Sequence, residues 1–542
     1  MDCDLKLSGG SVIDGSGTPA RRADVAVRGD RITAVGDLGH LAAARTIDCS
    51  GKTITPGFID IHSHSDWLVP GADHGALIEP FVRQGMTTLV GGNCGFSPAP
   101  ITPQNRGAAH DASQLIVDEA IDFRWESMGE FLDGLERGGV SLNVAQLVGH
   151  GTVRAGVTGP LNPAPPTDDE LAAMERFVKD ALAVGCVGVS TGLGYPPGIF
   201  AAEDELTHFA RWAAREDKLF TSHLKAYSWM SGAIATDPMA EPHNLAAIDE
   251  ILRVGEASGA RVQVSHLIFV GRQTWPSWPK ALARIDAARE RGLDVAFDAF
   301  PYTAGNTTAS VIFPAHVLPR LEEVLANPEE LANLRGFATF AFEALGFGLP
   351  DIQIMRANAP ALNQYDGLRV TEAAKRAGME PFDFYCRMVL ESNRMARVLI
   401  HTYSGDRGEE EALRAVLAHP LCLIETDTFV TRDGHQNPAS YGTFPRALST
   451  YVKEGLFSLE EAVRKMTGAA AERLGWNDRG WVRPGGAADL VVLDATTLQD
   501  TATFDKPARF PLGIERVIIN GRAVIEDGRY DPAARAGRVL RS

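Results

Sequence analysis

The chain has 542 residues, 45% hydrophobic and 22% charged, with 52 Lys plus Arg against 69 Asp plus Glu and a formal net charge of −17. That composition is ordinary for a globular protein and excludes wholesale disorder. The acidic surplus argues against nucleic-acid and anionic-membrane partners, whose recognition needs clustered positive charge. The length suits about three or four domains, or one large barrel with an accessory unit. No run of ~18 apolar residues appears, and the start lacks a basic segment followed by an apolar one, so neither a membrane span nor a secretory signal is expected. Cys3, Cys49, Cys94, Cys186, Cys386 and Cys422 are scattered without a CxxC pair, which predicts reduced thiols and a cytoplasmic location.

In chain order, Asp4 to Leu7, Asp24 to Val27 and Arg31 to Val35 read as strands punctuated by glycines. The rhythm then changes to short apolar runs alternating with helical stretches. The runs are Gly57 to Ile61, Thr87 to Val90, Asn143 to Val148, Gly188 to Ser190, Phe220 to Ser222, Val262 to Ser265, Asp294 to Phe297 and Leu421 to Ile424. Helices are predicted from Asp168 to about Val184, capped by Thr167 with acids in the first turn, and over roughly Leu245 to Ser258 and Trp278 to Arg291. So many strand–helix units favour a (β/α)8 barrel over an open sheet. Thr303 to about Ala357 breaks the rhythm as an insertion or lid. Ala488 to Asp494 and Val517 to Val524, with a turn at Asn520-Gly521, return to strand. The expected organisation is a small β unit built from 1–56 and 476–542, and a barrel over 57–475 with an insertion at about 303–357.

The strongest chemical signal is Gly57-Phe58-Ile59-Asp60-Ile61-His62-Ser63-His64, an apolar strand ending in His-x-His. Residues two apart on a strand face the same way, so both imidazoles are expected at the barrel mouth, where sites of this fold lie. Alone the pattern is common on surface strands. Cys94 follows in Gly91-Gly92-Asn93-Cys94-Gly95; His223 and His266 end Thr221-Ser222-His223 and Val264-Ser265-His266; Asp427 ends Leu423 to Asp427. Each taken singly reads as a structural polar residue. Together, at successive strand ends, they supply imidazole and thiolate ligands plus a carboxylate able to take a proton from water at a metal.

These stretches, with GFIDIHSHSD, GGNCGFSPAP, LVGHGTVR, STGLGYPPG, QVSH, PYTAG, YGTFPRAL and GWVRPGGAADLVVLDATTLQDTATF, resemble the amidohydrolase superfamily and, more narrowly, the N-acyl-D-amino-acid deacylases, over nearly the whole chain. The resemblance implies a metal-binding (β/α)8 barrel with a small β-sandwich made from both termini. It also implies one or two Zn2+ ions. Cys94, His223 and His266 would form the tight site, and His62, His64 and Asp427 a weaker one, with Cys94 able to bridge. Asp427 would be general base and then general acid.

The substrate end departs from the family. The relatives hold an α-carboxylate with a Lys, a Tyr and an Arg. Here Ile268 stands for the Lys, Tyr302 is retained, and Ala439 stands for the Arg. A hydrogen bond to a charged group is worth roughly 1.5–3 kcal/mol, so losing two leaves a buried carboxylate poorly compensated. An acylated small molecule without a free α-carboxylate is therefore the expected substrate. Lys225, Arg272 and Arg432 are the candidate replacement cations, each also readable as a solvated surface charge. Tyr195 or His150 is a candidate for steadying the oxyanion, with loop packing as the plainer role for His150. Gly194, where relatives often carry a larger or acidic residue, and Glu425-Thr426-Asp427-Thr428, where they read Gly-Ser-Asp-Gly, are further departures. The alternatives are a true deacylase with a rearranged anion site, a lactone or cyclic-amide hydrolase, and a non-catalytic metal-binding relative. Monomer and dimer fit equally.

Overall fold

The computed structural model describes residues 2–117, 121–314, 317–406 and 408–542, without the side chains of Leu115 and Pro319. The chain opens with β1 (Cys3–Val12), β2 (Arg21–Arg28), β3 (Arg31–Gly36), β4 (Ala43–Asp48) and β5 (Thr53–Pro56). Seven barrel strands follow: β6 (Phe58–Asp60), β7 (Met86–Gly91), β8 (Asn143–Gly149), β9 (Gly188–Gly192), β10 (Leu219–His223), β11 (Arg261–Val264) and β12 (Val295–Ala299). After β13 (Gly305–Thr308), β14 (Ile352–Arg356) and β15 (Arg397–Ile400), the barrel is completed by β16 (Cys422–Ile424). The chain ends with β17 (Leu490–Leu493), β18 (Ile514–Ile519), β19 (Arg522–Glu526) and β20 (Arg529–Tyr530).

The eight barrel strands run in the order β16-β12-β11-β10-β9-β8-β7-β6, all parallel. Period-two alternation is visible in the packing. Leu219 joins the interior cluster with Ile59, Ile61, Val90, Leu147, Val187 and Leu423, while Phe220 joins the outer layer under the helices. Each such buried aliphatic side chain contributes about 1.5–3 kcal/mol. This apolar floor fills the lower end of the barrel, so polar inward residues collect above it, at the carboxyl ends of the strands.

β6 and β16 share no ladder. Their seam is closed by the segments that follow them: Asp427 N donates to His62 O at 3.0 Å and His64 N to Thr428 O at 3.2 Å. The buried Asp60 carboxylate accepts from Thr426 N at 3.1 Å and from its hydroxyl at 2.6 Å. The bonds that close the barrel thus position site residues. The helix Asp168–Ala183 has the capping box its sequence foretells, with Thr167 Oγ1 accepting from Glu170 N and Glu170 returning a bond to Thr167 N.

At the termini, β17 pairs antiparallel with β5, and β5 pairs parallel with β1, joining both chain ends in one nine-stranded sheet. Leu7, Val25, Ile54, Leu490 and Ile518 share its core. The turn at Asn520-Gly521, with φ 47 and 81, suits a two-residue hairpin between β18 and β19.

The segment between β12 and β16 differs from expectation. β13, β15 and β14 form a separate three-stranded sheet over its own core, which runs from Ala309 to Ile400. It extends past residue 357 because β15 is the strand that both others pair with, and β15 lies some way further along the chain.

Candidate metal centre

The paired histidines arrive differently from the alternation argument. β6 stops at Asp60, so His62 and His64 lie in the following loop, and His64 precedes a short 3-10 turn, Ser65–Trp67. They converge because Asp60 and the seam hold that loop. Cys94, His266 and Asp427 all have positive φ, at 54, 32 and 42. A non-glycine residue in this region costs of order 1–3 kcal/mol and persists where its surroundings over-determine it. Beside Cys94, Gly92 and Gly95 have φ 74, and a Cβ at Gly92 would stand 2.1 Å from Leu147 O. Only glycine lets this turn press against β8 and deliver the sulfur.

The ligand atoms fall into two groups, His62–His64–Cys94–Asp427 and Cys94–His223–His266, each within 4.8 Å and sharing Cys94. Cys94 Sγ is 3.2 Å from His62 Nε2 and 3.5 Å from His266 Nε2, and His223 Nδ1 is 3.0 Å from His266 Nε2. Asp427 Oδ1 is 3.5 Å from His62 Nε2 and 3.4 Å from His64 Nε2. Tetrahedral zinc with Zn–N of about 2.0–2.1 Å and Zn–S of about 2.3 Å separates its ligands by about 3.3–3.6 Å. The donor set and its spacing fit divalent ions.

The electrostatics agree. Burial would raise the Cys94 thiol, but the charges of His62 and His266 and bonds from His223 and His266 hold it well below the ordinary thiol range. Burial opposes charge on His64 too, yet its bonds to Asp427 and Cys94 push it up to about 10. Asp427 is held low despite burial by the His266 charge and the His64 bond. The buried thiolate and carboxylate draw positive charge onto His62, His64 and His266, while burial holds His223 below the usual range.

Asp298 was not singled out from the sequence, although its place on the strand Asp294 to Phe297 and its extension aims it inward. Its Oδ1 contacts His62 Nδ1 at 3.2 Å and accepts from His266 N at 2.7 Å, while Oδ2 accepts from Gln263 Nε2 at 2.7 Å. A carboxylate behind a metal-binding imidazole fixes its tautomer and basicity. Asp298→Asn is expected to weaken metal retention about 10- to 100-fold, as measured by competition with a chromogenic chelator. Glu425 is fully buried with neither oxygen hydrogen-bonded among the described residues. Burial, only partly offset by His62, raises its carboxyl well above the usual range.

The residues expected around substrate are more constrained than the sequence suggested. The Tyr195 hydroxyl donates to Cys94 O at 2.7 Å, and its ring stacks on Phe96. It braces the Cys94 turn and has no proton left for an oxyanion in this arrangement. His150 Nε2 pairs with Glu205 at 2.8 Å, beside buried Arg154, which makes it a packing residue. The Tyr302 hydroxyl donates to Asp500 at 2.9 Å, with the Arg446 guanidinium over its ring. Ile268 is buried in the apolar layer, and Ala439 opens the helix Ala439–Arg446 with no exposed surface. The three candidate replacement cations are engaged elsewhere. Lys225 is paired with Glu250, Arg272 bridges Asp351 at 3.0 Å and Asp406 at 2.8 Å, and Arg432 meets Asp73 at 2.5 Å. Each is thus paired with a nearby carboxylate.

The pattern of the amidohydrolase family matches residues 45–317 and 393–525. The D-aminoacylase of Alcaligenes xylosoxydans xylosoxydans is 35% identical over 99% of this chain and 97% of its own, and that organism's N-acyl-D-glutamate deacylase 36% identical over 99% and 96%. Among solved structures, a D-aminoacylase described with a binuclear metal centre superposes with TM-score 0.80 at 33% identity. The N-acyl-D-glutamate deacylase of Bordetella bronchiseptica, solved with zinc and a phosphonate inhibitor, superposes with TM-score 0.81 at 32%; both cover 100% of each chain. Matched by the family pattern over most of its length, and by these relatives over nearly the whole chain in sequence and fold, the protein belongs to the amidohydrolase family, on its D-aminoacylase branch.

Proposed function

We propose that the protein is a zinc-dependent hydrolase of a non-peptide amide bond, acting on an acylated small molecule that carries no free α-carboxylate. The observation that carries the reaction class is the convergence of His62, His64, Cys94, His223, His266 and Asp427 into two ligand groups sharing one sulfur. These side chains would hold one or two divalent ions, which when bound would supply Lewis acidity toward the acyl carbonyl and a nucleophile from water near neutral pH.

The rest falls to the chain. Asp427, between His62 and His64, takes the proton of the attacking water and returns it to the departing nitrogen. Asp298 holds the His62 ring with Nε2 facing the cluster. Tyr195 keeps the Cys94 turn in its strained form, so the sulfur needs no rearrangement during turnover. The substrate half of the proposal rests on Ile268 and Ala439, both buried and uncharged, and on the pairing of Lys225, Arg272 and Arg432 with carboxylates. A carboxylate entering beside them would lose its hydration without a free cation in return. A panel of N-acetylated D- and L-amino acids, their carboxamides, simple acylated amines and lactams, run with zinc, tests this. The carboxamides and amines are expected to exceed the free acids in kcat/KM by at least about 10-fold, the loss of one charged hydrogen bond. Preference for the free acids overturns the substrate assignment. Hydrolysis of lactams alone moves it to the cyclic amides.

A further inference from the structure

Tyr403 lies just beyond β15, where the insertion returns to the barrel mouth. Its N–H donates to Thr303 O at 3.0 Å, its backbone bridges Val270 in antiparallel sense, and Ser404 N donates to Phe269 O at 2.8 Å. Those partners sit in the loops that leave the strand of Asp298 and the end of β11 at His266, so Tyr403 is stitched to the rim of the ligand cluster. Its ring rests against Gly305, where a Cβ would stand 2.2 Å from Tyr403 Cε2 and 2.5 Å from Cδ2. Gly305 does not have a positive φ, so the glycine serves the close approach of the ring rather than the backbone. Three phenols feel the charge of Asp427: those of Tyr195, Tyr227 and Tyr403. Two are spent, Tyr195 on Cys94 O at 2.7 Å and Tyr227 on Ser265 O at 3.0 Å. The half-buried Tyr403 makes no side-chain hydrogen bond to any described residue, and its hydroxyl is not sealed from solvent. Tyr195 and Tyr227 also feel the Cys94 thiolate, whereas the influences on Tyr403 are burial and Asp427, both of which push its phenol up. Tyr403 therefore stands on the side of the base, with its proton in place and unspent.

We infer that Tyr403 is a further catalytic residue, whose hydroxyl donates to the acyl carbonyl oxygen of the substrate as negative charge develops there. The attacking oxygen and the carbonyl oxygen end on one carbon, so a donor on the side of the base is at hand for the charge that the attack creates. As the bond from water oxygen to carbon forms, Asp427 takes the water proton and the C=O π pair moves onto the carbonyl oxygen. Tyr403 holds that oxygen by its O–H without giving the proton up. When the C=O bond re-forms, the C–N bond breaks and the proton on Asp427 passes to the nitrogen. The Tyr195 hydroxyl, committed to Cys94 O, leaves this place open. The inference rests on the reading of the chain as an amide hydrolase and names the chain's own oxyanion donor for that reaction.

The test uses the zinc-loaded full chain and the panel of N-acetylated amino acids, carboxamides, acylated amines and lactams, with N-acetylleucine, N-acetylleucinamide and N-isopentylacetamide among them. On every member that the unmodified enzyme hydrolyses, Tyr403→Phe is expected to lower kcat about 10^2-fold, the cost of one oxyanion donor, with KM within about 3-fold and bound zinc unchanged. A residue that only packs would instead move KM, zinc content or the thermal unfolding temperature, and that pattern overturns the inference. So does a kcat within about 3-fold of the unmodified enzyme. Gly305→Ala pushes the ring aside and leaves the hydroxyl on the chain. It is expected to lower kcat in the same sense, and to add less than about 3-fold to the loss when combined with Tyr403→Phe. Losses that multiply show that the glycine serves something other than the hydroxyl, and overturn its part in the inference. If the unmodified enzyme hydrolyses no member of the panel, the reading as an amide hydrolase falls and this inference with it. If it hydrolyses some and Tyr403→Phe leaves kcat unchanged, only the role of Tyr403 falls.

Discussion

Asp427→Asn is expected to retain bound metal and lose about 10^2- to 10^4-fold in kcat/KM, the range for a residue that both removes and returns a proton. The amide matches the carboxylate in size and still offers an oxygen to the cluster, so the backbone at φ 42 and the bond from Asp427 N to His62 O are kept. What disappears is basicity. Metal content by emission spectroscopy and steady-state kinetics on the same preparation separate the two. Turnover near that of the unmodified enzyme would exclude Asp427 as the base. Loss of metal together with activity would make it chiefly a ligand.

Cys94→Ala is expected to be more destructive, because its sulfur is the one atom common to both ligand groups. Bound zinc should fall from one or two ions per chain to well below one. The kcat/KM should drop by more than about 10^3-fold, as polarisation of the carbonyl and activation of water are lost together. Cys94→Ser separates shape from thiolate. Serine fits the turn between Gly92 and Gly95, but its hydroxyl stays protonated where the thiol is held well below its ordinary range by burial-resistant pairing with His62 and His266. If the serine variant binds zinc as the native chain does, the sulfur is not a ligand and the assignment fails. Thermal unfolding followed in parallel shows whether either variant merely unfolds.

Much of this was legible along the chain because the signals are local. The eight apolar runs from Gly57 to Ile424 correspond to the eight barrel strands within a residue or two, since buried parallel strands are short, apolar and set off by glycine and helical stretches. Thr167 and Glu170 announce their helix because a capping box needs only residues three apart. The His-x-His motif was found for a partly wrong reason. Strand alternation would have aimed both rings together, but the strand ends at Asp60, and a seam to residues more than three hundred positions away aims them instead. β15 escaped notice because Arg397–Ile400 is an arginine followed by only three aliphatic residues, whose meaning depends on pairing with β13 and β14.

The sequence by itself determined the residue types of the centre, their order at successive strand ends and the barrel that carries them. These follow from side-chain chemistry and from periodicities that act over a few residues. The tertiary structure alone decided which side chains are still available. Lys225, Arg272 and Arg432 read as possible anchors until Glu250, Asp351, Asp406 and Asp73 are seen to pair with them. Tyr302 reads as a retained carboxylate anchor, and only the fold shows its hydroxyl donating to Asp500, 198 residues on. That Asp298 backs the His62 ring is likewise decided by packing. A charge or a hydrogen bond is spent on whatever group packing brings within about 3 Å, and in a barrel that group comes from a neighbouring strand or loop whose distance along the sequence carries no signal.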